Sequence, residues 1–122
     1  MHLGIGSAYE GKYGDNWISK RFCTEIEVPA DCRRVRISGR HLAPFAKGLT
    51  LTVGFSGYAP ARFRVPQNGP FWIDVDCPEP VRGRPSSLEI EAARTFRPRV
   101  KGDYRRLSCL IDSISPESGR RL

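Results

Sequence analysis

Asp74 and Asp76 stand two positions apart and form a paired-carboxylate signal. On a strand, residues i and i+2 share a face. The pair therefore suits general acid–base chemistry or calcium, or else forms a solvent-facing stripe. Trp72 falls on the same expected face, out of phase with Phe71, Ile73 and Val75. An indole packs on the C–H face of a pyranose, and neighbouring carboxylates accept hydrogen bonds from its hydroxyls. The three residues together read as a sugar-binding platform or as the cover of a sheet edge. Trp17, within Tyr13-Gly14-Asp15-Asn16-Trp17-Ile18, either lines a loop-end site or closes one end of the core. Tyr58, beside the Ser56-Gly57 turn, is a third aromatic candidate.

Other chemistries find little support. The two histidines, His2 and His41, lie at a terminus and at the start of a loop, with no G-x-S-x-G motif near either. No Gly-rich loop opens a helix to cradle phosphate. Cys23, Cys32, Cys77 and Cys109 lack the close spacing that sets two thiolates on one zinc ion. They read as four free thiols, with Cys109 a small core residue. No cofactor, metal or catalytic centre is expected, and the chain is not read as an enzyme.

The 122 residues carry 20 Lys and Arg against 13 Asp and Glu, for a net charge of +7. The excess is spread evenly, with no basic arm. The densest run, Arg94 to Arg106, is broken by Asp103. A phosphate backbone, an acidic glycan or a solvated face would each tolerate such a surface. No RNP-like motif accompanies it, which argues against nucleic acid. No apolar run approaches a membrane span. The first residues lack the basic and long apolar segments of a secretory signal, so a cytoplasmic location is expected.

The elements that must position these residues follow from a dominant period of two. Phe22, Thr24, Ile26 and Val28 alternate with Cys23, Glu25 and Glu27. Val35 and Ile37 alternate with Arg34, Arg36 and Ser38. Leu49 to Phe55, Phe63 to Val65, Phe71 to Val75, Leu88 to Ala92 and Leu107 to Ile111 repeat the pattern. Residues 41–48, 77–87 and 96–103 read as loops. Gly and Pro together supply 22 residues, against a helical bundle. The expectation is an all-β, two-sheet antiparallel sandwich, jelly-roll-like, spanning residues 2–115 with a frayed tail over 116–122. In the last strand Leu110 and Ile114 add a second apolar face, so it is expected to be central or packed under a loop.

Several segments carry a family resemblance. They are Tyr13-Gly14-Asp15-Asn16-Trp17-Ile18, Ile37-Ser38-Gly39, Gly69-Pro70-Phe71, Phe96-Arg97-Pro98 and Asp103-Tyr104-Arg105-Arg106-Leu107-Ser108. Their order resembles that of jelly-roll, carbohydrate-binding-module-like accessory domains found with bacterial glycosyltransferases and surface-polysaccharide proteins. Asn16 replaces the usual Gly of the family's D-G-W element; Asn also tolerates positive φ. The resemblance implies a non-catalytic module that binds an oligosaccharide or polysaccharide, or positions a glycosyltransferase in the same chain or operon. It gives Asp103 and Arg105 a structural role, pinning the long loop to the last strand, or turns Arg105 and Arg106 toward a polar or anionic glycan. The alternatives are a protein-interaction scaffold and, behind it, a basic nucleic-acid binder.

Overall fold

The computed structural model describes residues 9–12, 15–45, 48–103 and 105–118. Eight strands follow in order: β1 (Tyr9–Lys12), β2 (Ile18–Glu27), β3 (Cys32–His41), β4 (Leu49–Phe55), β5 (Ala61–Val65), β6 (Gly69–Asp76), β7 (Pro85–Ala92) and β8 (Leu110–Ser118). A 3-10 turn, Glu79–Val81, interrupts the β6–β7 connection. No described helix is long and apolar enough to cross a membrane.

The strands form two antiparallel sheets, ordered β1-β2-β7-β4-β5 and β6-β3-β8. The chain crosses between sheets at β2–β3, β3–β4, β5–β6, β6–β7 and β7–β8. The orders 2-7-4-5 and 8-3-6 give the jelly-roll-like sandwich expected from the alternation. Strands β2, β3, β4, β6 and β7 turn their apolar sets inward. Phe22 and Ile26 meet Val35, Ile37, Leu51, Val53, Leu88, Ile90, Ile111 and Ile114 in one buried core. Alternating burial on β2, β3 and β6 leaves charged residues outside, as for sheets with one wet face.

β8 departs from simple alternation. Ser38 pairs with Ser113 but Gly39 pairs with Ile111, so Asp112 is an extra residue on β8. The resulting bulge turns both Ile111 and Ile114 inward. It also brings the Leu110 carbonyl so close to β3 that a Cβ at Gly39 would overlap it. Leu110, on the other side, is bridged to Trp17 and buried there. The second apolar face is thus packed under the β1–β2 loop, one of the two placements expected, while β8 itself lies at a sheet edge.

Several boundaries differ from the sequence expectation; His41, read as opening a loop, is the last residue of β3. β1 had no counterpart in it. β7 opens at Pro85, inside the segment read as a loop. Residues 107–109 lie outside β8; Leu107 bridges Phe96, and Ser108 and Cys109 exchange backbone hydrogen bonds with Ile18. β8 also continues through Pro116 to Ser118, so the first three residues of the expected tail are strand. An edge strand turns alternate N–H groups away from its neighbour, which lets it hold a proline. Residues 119–122 lie outside the described set.

Candidate functional site on the three-stranded sheet

β3 is central in the smaller sheet, and its outward residues set the pattern. Register places Ser38 between Trp72 on β6 and Ser113 on β8. The next row holds Asp74, Arg36 and Ser115, and beyond it Asp76 faces Arg34. Trp72, Asp74 and Asp76 therefore share one outer face, as expected.

Trp72 is 64% exposed, a large value for an indole in a strand. The Arg36 guanidinium lies 5.5 Å from the ring centroid, over one face. The same guanidinium forks onto Asp74, with Nε donating to Oδ1 at 2.9 Å and Nη2 to Oδ2 at 3.2 Å. That hydrogen bond, aided by the charges of Arg36 and Arg34, holds the Asp74 carboxyl below its usual pKa against a smaller opposing effect of burial. A second fork flanks the serines: Arg40 donates from Nε and Nη2 to the two Asp112 oxygens, each at 2.9 Å. Bidentate pairs hold both partners in one plane. A cleft of about 320 Å³ adjoins Trp72, lined in part by Arg64, Gln67, Asn68 and Pro70.

Polar contacts continue from this face to the loop end. Asn16 Nδ2 donates to Asp112 at 3.4 Å. One residue earlier, Asp15 accepts from Arg105 Nη1 at 2.8 Å. Arg105 also forks onto Asp103 through Nε at 2.9 Å and Nη2 at 2.8 Å. Both carboxyls are held below their usual pKa, chiefly by the Arg105 hydrogen bonds. The Asp103–Arg105 pair is present, and through Asp15 it ties its loop to the β1–β2 loop. Asn16 sits at φ +72°, alone among the described non-glycine residues in that region.

The seven candidate residues do not form one site. Trp72, Asp74 and Asp76 stand together, with Arg105 at the end of the polar run. Trp17 packs edge-to-face on Phe96 at 5.6 Å, and Phe96 on Phe45 at 6.0 Å, so it closes the loop end of the core. Arg106 is exposed on the 93–109 loop. Tyr58 lies in the β4–β5 turn of the other sheet, where it lines a groove of about 530 Å³ with Thr52, Pro60, Glu89 and Glu91. Arg36, Ser38, Arg40, Asp112 and Ser113 were missing from the candidates. The outward Arg34-Arg36-Ser38-Arg40 series of β3 is the signal that marks the first three, while Asp112 and Ser113 come from β8. No three His, Cys, Asp or Glu side chains among the described residues converge as a metal-ligand set.

No protein-family profile and no curated protein matches the chain. Among solved structures, it is similar to the Podospora anserina GH26-CBM35 β-(1,4)-mannanase, at TM-score 0.50 and 13% identity. That match covers 99% of this chain and 26% of the mannanase chain, so this chain spans about a quarter of that protein's length. A second structure, Xyl-CBM35 in complex with a glucuronic acid containing disaccharide, aligns over 98% of this chain and 86% of that one at TM-score 0.48 and 12% identity. The mannanase likeness shows the fold alone, a two-sheet β-sandwich.

Proposed function

We propose that the chain is a non-catalytic carbohydrate-binding module whose binding surface is the outer face of the three-stranded sheet. The observation that carries this reading is the 64% exposure of Trp72 on a strand whose register is fixed, beside two serines and between two Arg–Asp forks. A pyranose stacked on the free part of the indole would leave its hydroxyls over Ser38 and Ser113. The forks are preorganised, so little side-chain order is lost on binding. Arg36 and Arg40 offer donors and Asp74 and Asp112 acceptors, a pattern for polyhydroxyl recognition. In this reading the module serves a glycan-processing partner, a glycosyltransferase in the same chain or operon.

Calorimetric titration with neutral and acidic bacterial oligosaccharides tests the proposal. Binding that weakens at least about tenfold in Trp72→Ala, with the melting temperature kept, is the expected result. Silence across both sugar classes at millimolar concentration overturns it. Capture of a protein partner, lost in the same variant, would support the scaffolding reading instead.

A further inference from the structure

We propose that Cys32 and Cys77 are a disulfide-forming pair, whose oxidation staples β6, the strand that carries Trp72, to the central strand of its sheet. Three observations on the backbone and side chains lead there. Against β8, Cys32 pairs with Ser118 and Arg34 with Glu117, so Arg33 is an extra residue on β3. A bulge of this kind re-aims a side chain. It turns Cys32 to the same inner side as Val35 and Ile37, although the spacing from Cys32 to Val35 is odd.

On the partner strand the inward series Ile73, Val75 runs directly on to Cys77. The Cys77 N–H donates to the Arg33 carbonyl at 2.8 Å, fixing that residue beside the bulge. The two sulfurs then lie 3.9 Å apart, each residue 1% exposed, although 45 positions separate them in the chain. Arg82 adds a clamp, donating from Nε and Nη2 to the Cys77 carbonyl at 3.1 and 3.0 Å. Neither remaining cysteine competes for this position. Cys23 faces outward on the larger sheet, and Cys109 is buried beside Ile18 at the loop end.

A small-molecule disulfide such as oxidised glutathione supplies the oxidant. One cysteine loses its proton, and its sulfur attacks that disulfide and releases one thiol. The second cysteine loses its proton and displaces the other thiol, closing the Cys32–Cys77 bond. Two electrons and two protons leave the protein, and the reagent is reduced to two thiols. Burial pushes the Cys77 thiol up to about 12, with Cys32 adding to the shift. The folded dithiol therefore reacts slowly, and closure belongs to folding or to local opening. A bond that closes so long a loop restricts the unfolded chain strongly.

The test refolds the full chain in oxidised glutathione, alkylates it under denaturing conditions, and maps the products by mass spectrometry. Expected are two alkylated cysteines, Cys23 and Cys109, and one peptide pair linked through Cys32 and Cys77. The melting temperature rises by roughly 10 °C, and reduction reverses the rise. The Cys23→Ser/Cys109→Ser double variant keeps the link, and Cys32→Ser loses it. Four alkylated cysteines after refolding, or a link through Cys23 or Cys109, would overturn the proposal. The wild-type map decides the matter even if a serine variant fails to fold.

Discussion

The two outer faces of the sandwich are built from the same alternation and end up unlike each other. On the three-stranded sheet the aromatic residue belongs to a strand, and its neighbours are dealt to it by antiparallel register. Its charges are locked in forks. On the five-stranded sheet the aromatic residue, Tyr58, belongs to the β4–β5 turn and is 41% exposed. That turn folds back over Gly54, where an added Cβ would stand 2.8 Å from Pro60 Cα. The fold-back raises one wall of the groove. The ion pair on its floor, Arg21 Nε to Glu91 at 2.9 Å, is largely exposed, and surface pairs of this kind contribute little. An exposed ring is a better recognition element when a sheet holds it in place than when a turn does.

The contrast can be broken most severely at Gly39. Gly39→Val drives its Cβ into the Leu110 carbonyl oxygen and to within 3.0 Å of the Phe71 ring, at a cost of roughly 3 kcal/mol. Chemical denaturation should show that loss, whereas Gly54→Ala should cost about 1 kcal/mol and merely lift the hairpin from the groove. Equal losses in the two variants would mean that the bulge yields as easily as the turn. Next in size is a difference in recognition. Trp72→Ala should weaken glycan binding at least about tenfold, and Tyr58→Ala should change it less than about twofold. A reversed ranking would move the binding surface to the groove.

The smallest effect concerns the loop end, where His41 is fully buried with neither ring nitrogen hydrogen-bonded. Burial lowers its pKa from the ordinary 6.5. Above that value folded and unfolded chains both hold a neutral ring, and the group adds no slope. Below it the unfolded chain takes up a proton that the folded one resists, so stability falls until the folded pKa is passed. The melting temperature should therefore decline from pH 7 toward pH 5. His41→Leu should flatten that decline, leaving the acid limb where Asp15, Asp74 and Asp103 titrate.

Much of this architecture was legible in the residues because β2, β4 and β6 alternate cleanly. The face shared by Trp72, Asp74 and Asp76 follows from spacing alone. What escaped the reading has physical causes. β1, Tyr-Glu-Gly-Lys, has no apolar alternation and exists by pairing with β2. The bulge at Asp112 breaks the period of two, so Leu110, Ile111 and Ile114 read as a strand with two apolar faces. Pro116 looks like a stop, yet an edge strand accommodates it. The partners of Trp72 come from β3 and β8, about 35 and 40 positions away, and only the fold brings such distant stretches side by side.

The glycine in β3 and the surplus aspartate in β8 form a matched set. One strand carries a residue too many at the point where the other lacks a side chain. When descendants of a shared ancestor are compared, the two features should be inherited together. A sister sequence with a one-position gap at Asp112 is free to carry alanine or valine at 39, whereas one retaining the insertion is not. Lineages could thus be sorted by this linked pair even where overall similarity has faded.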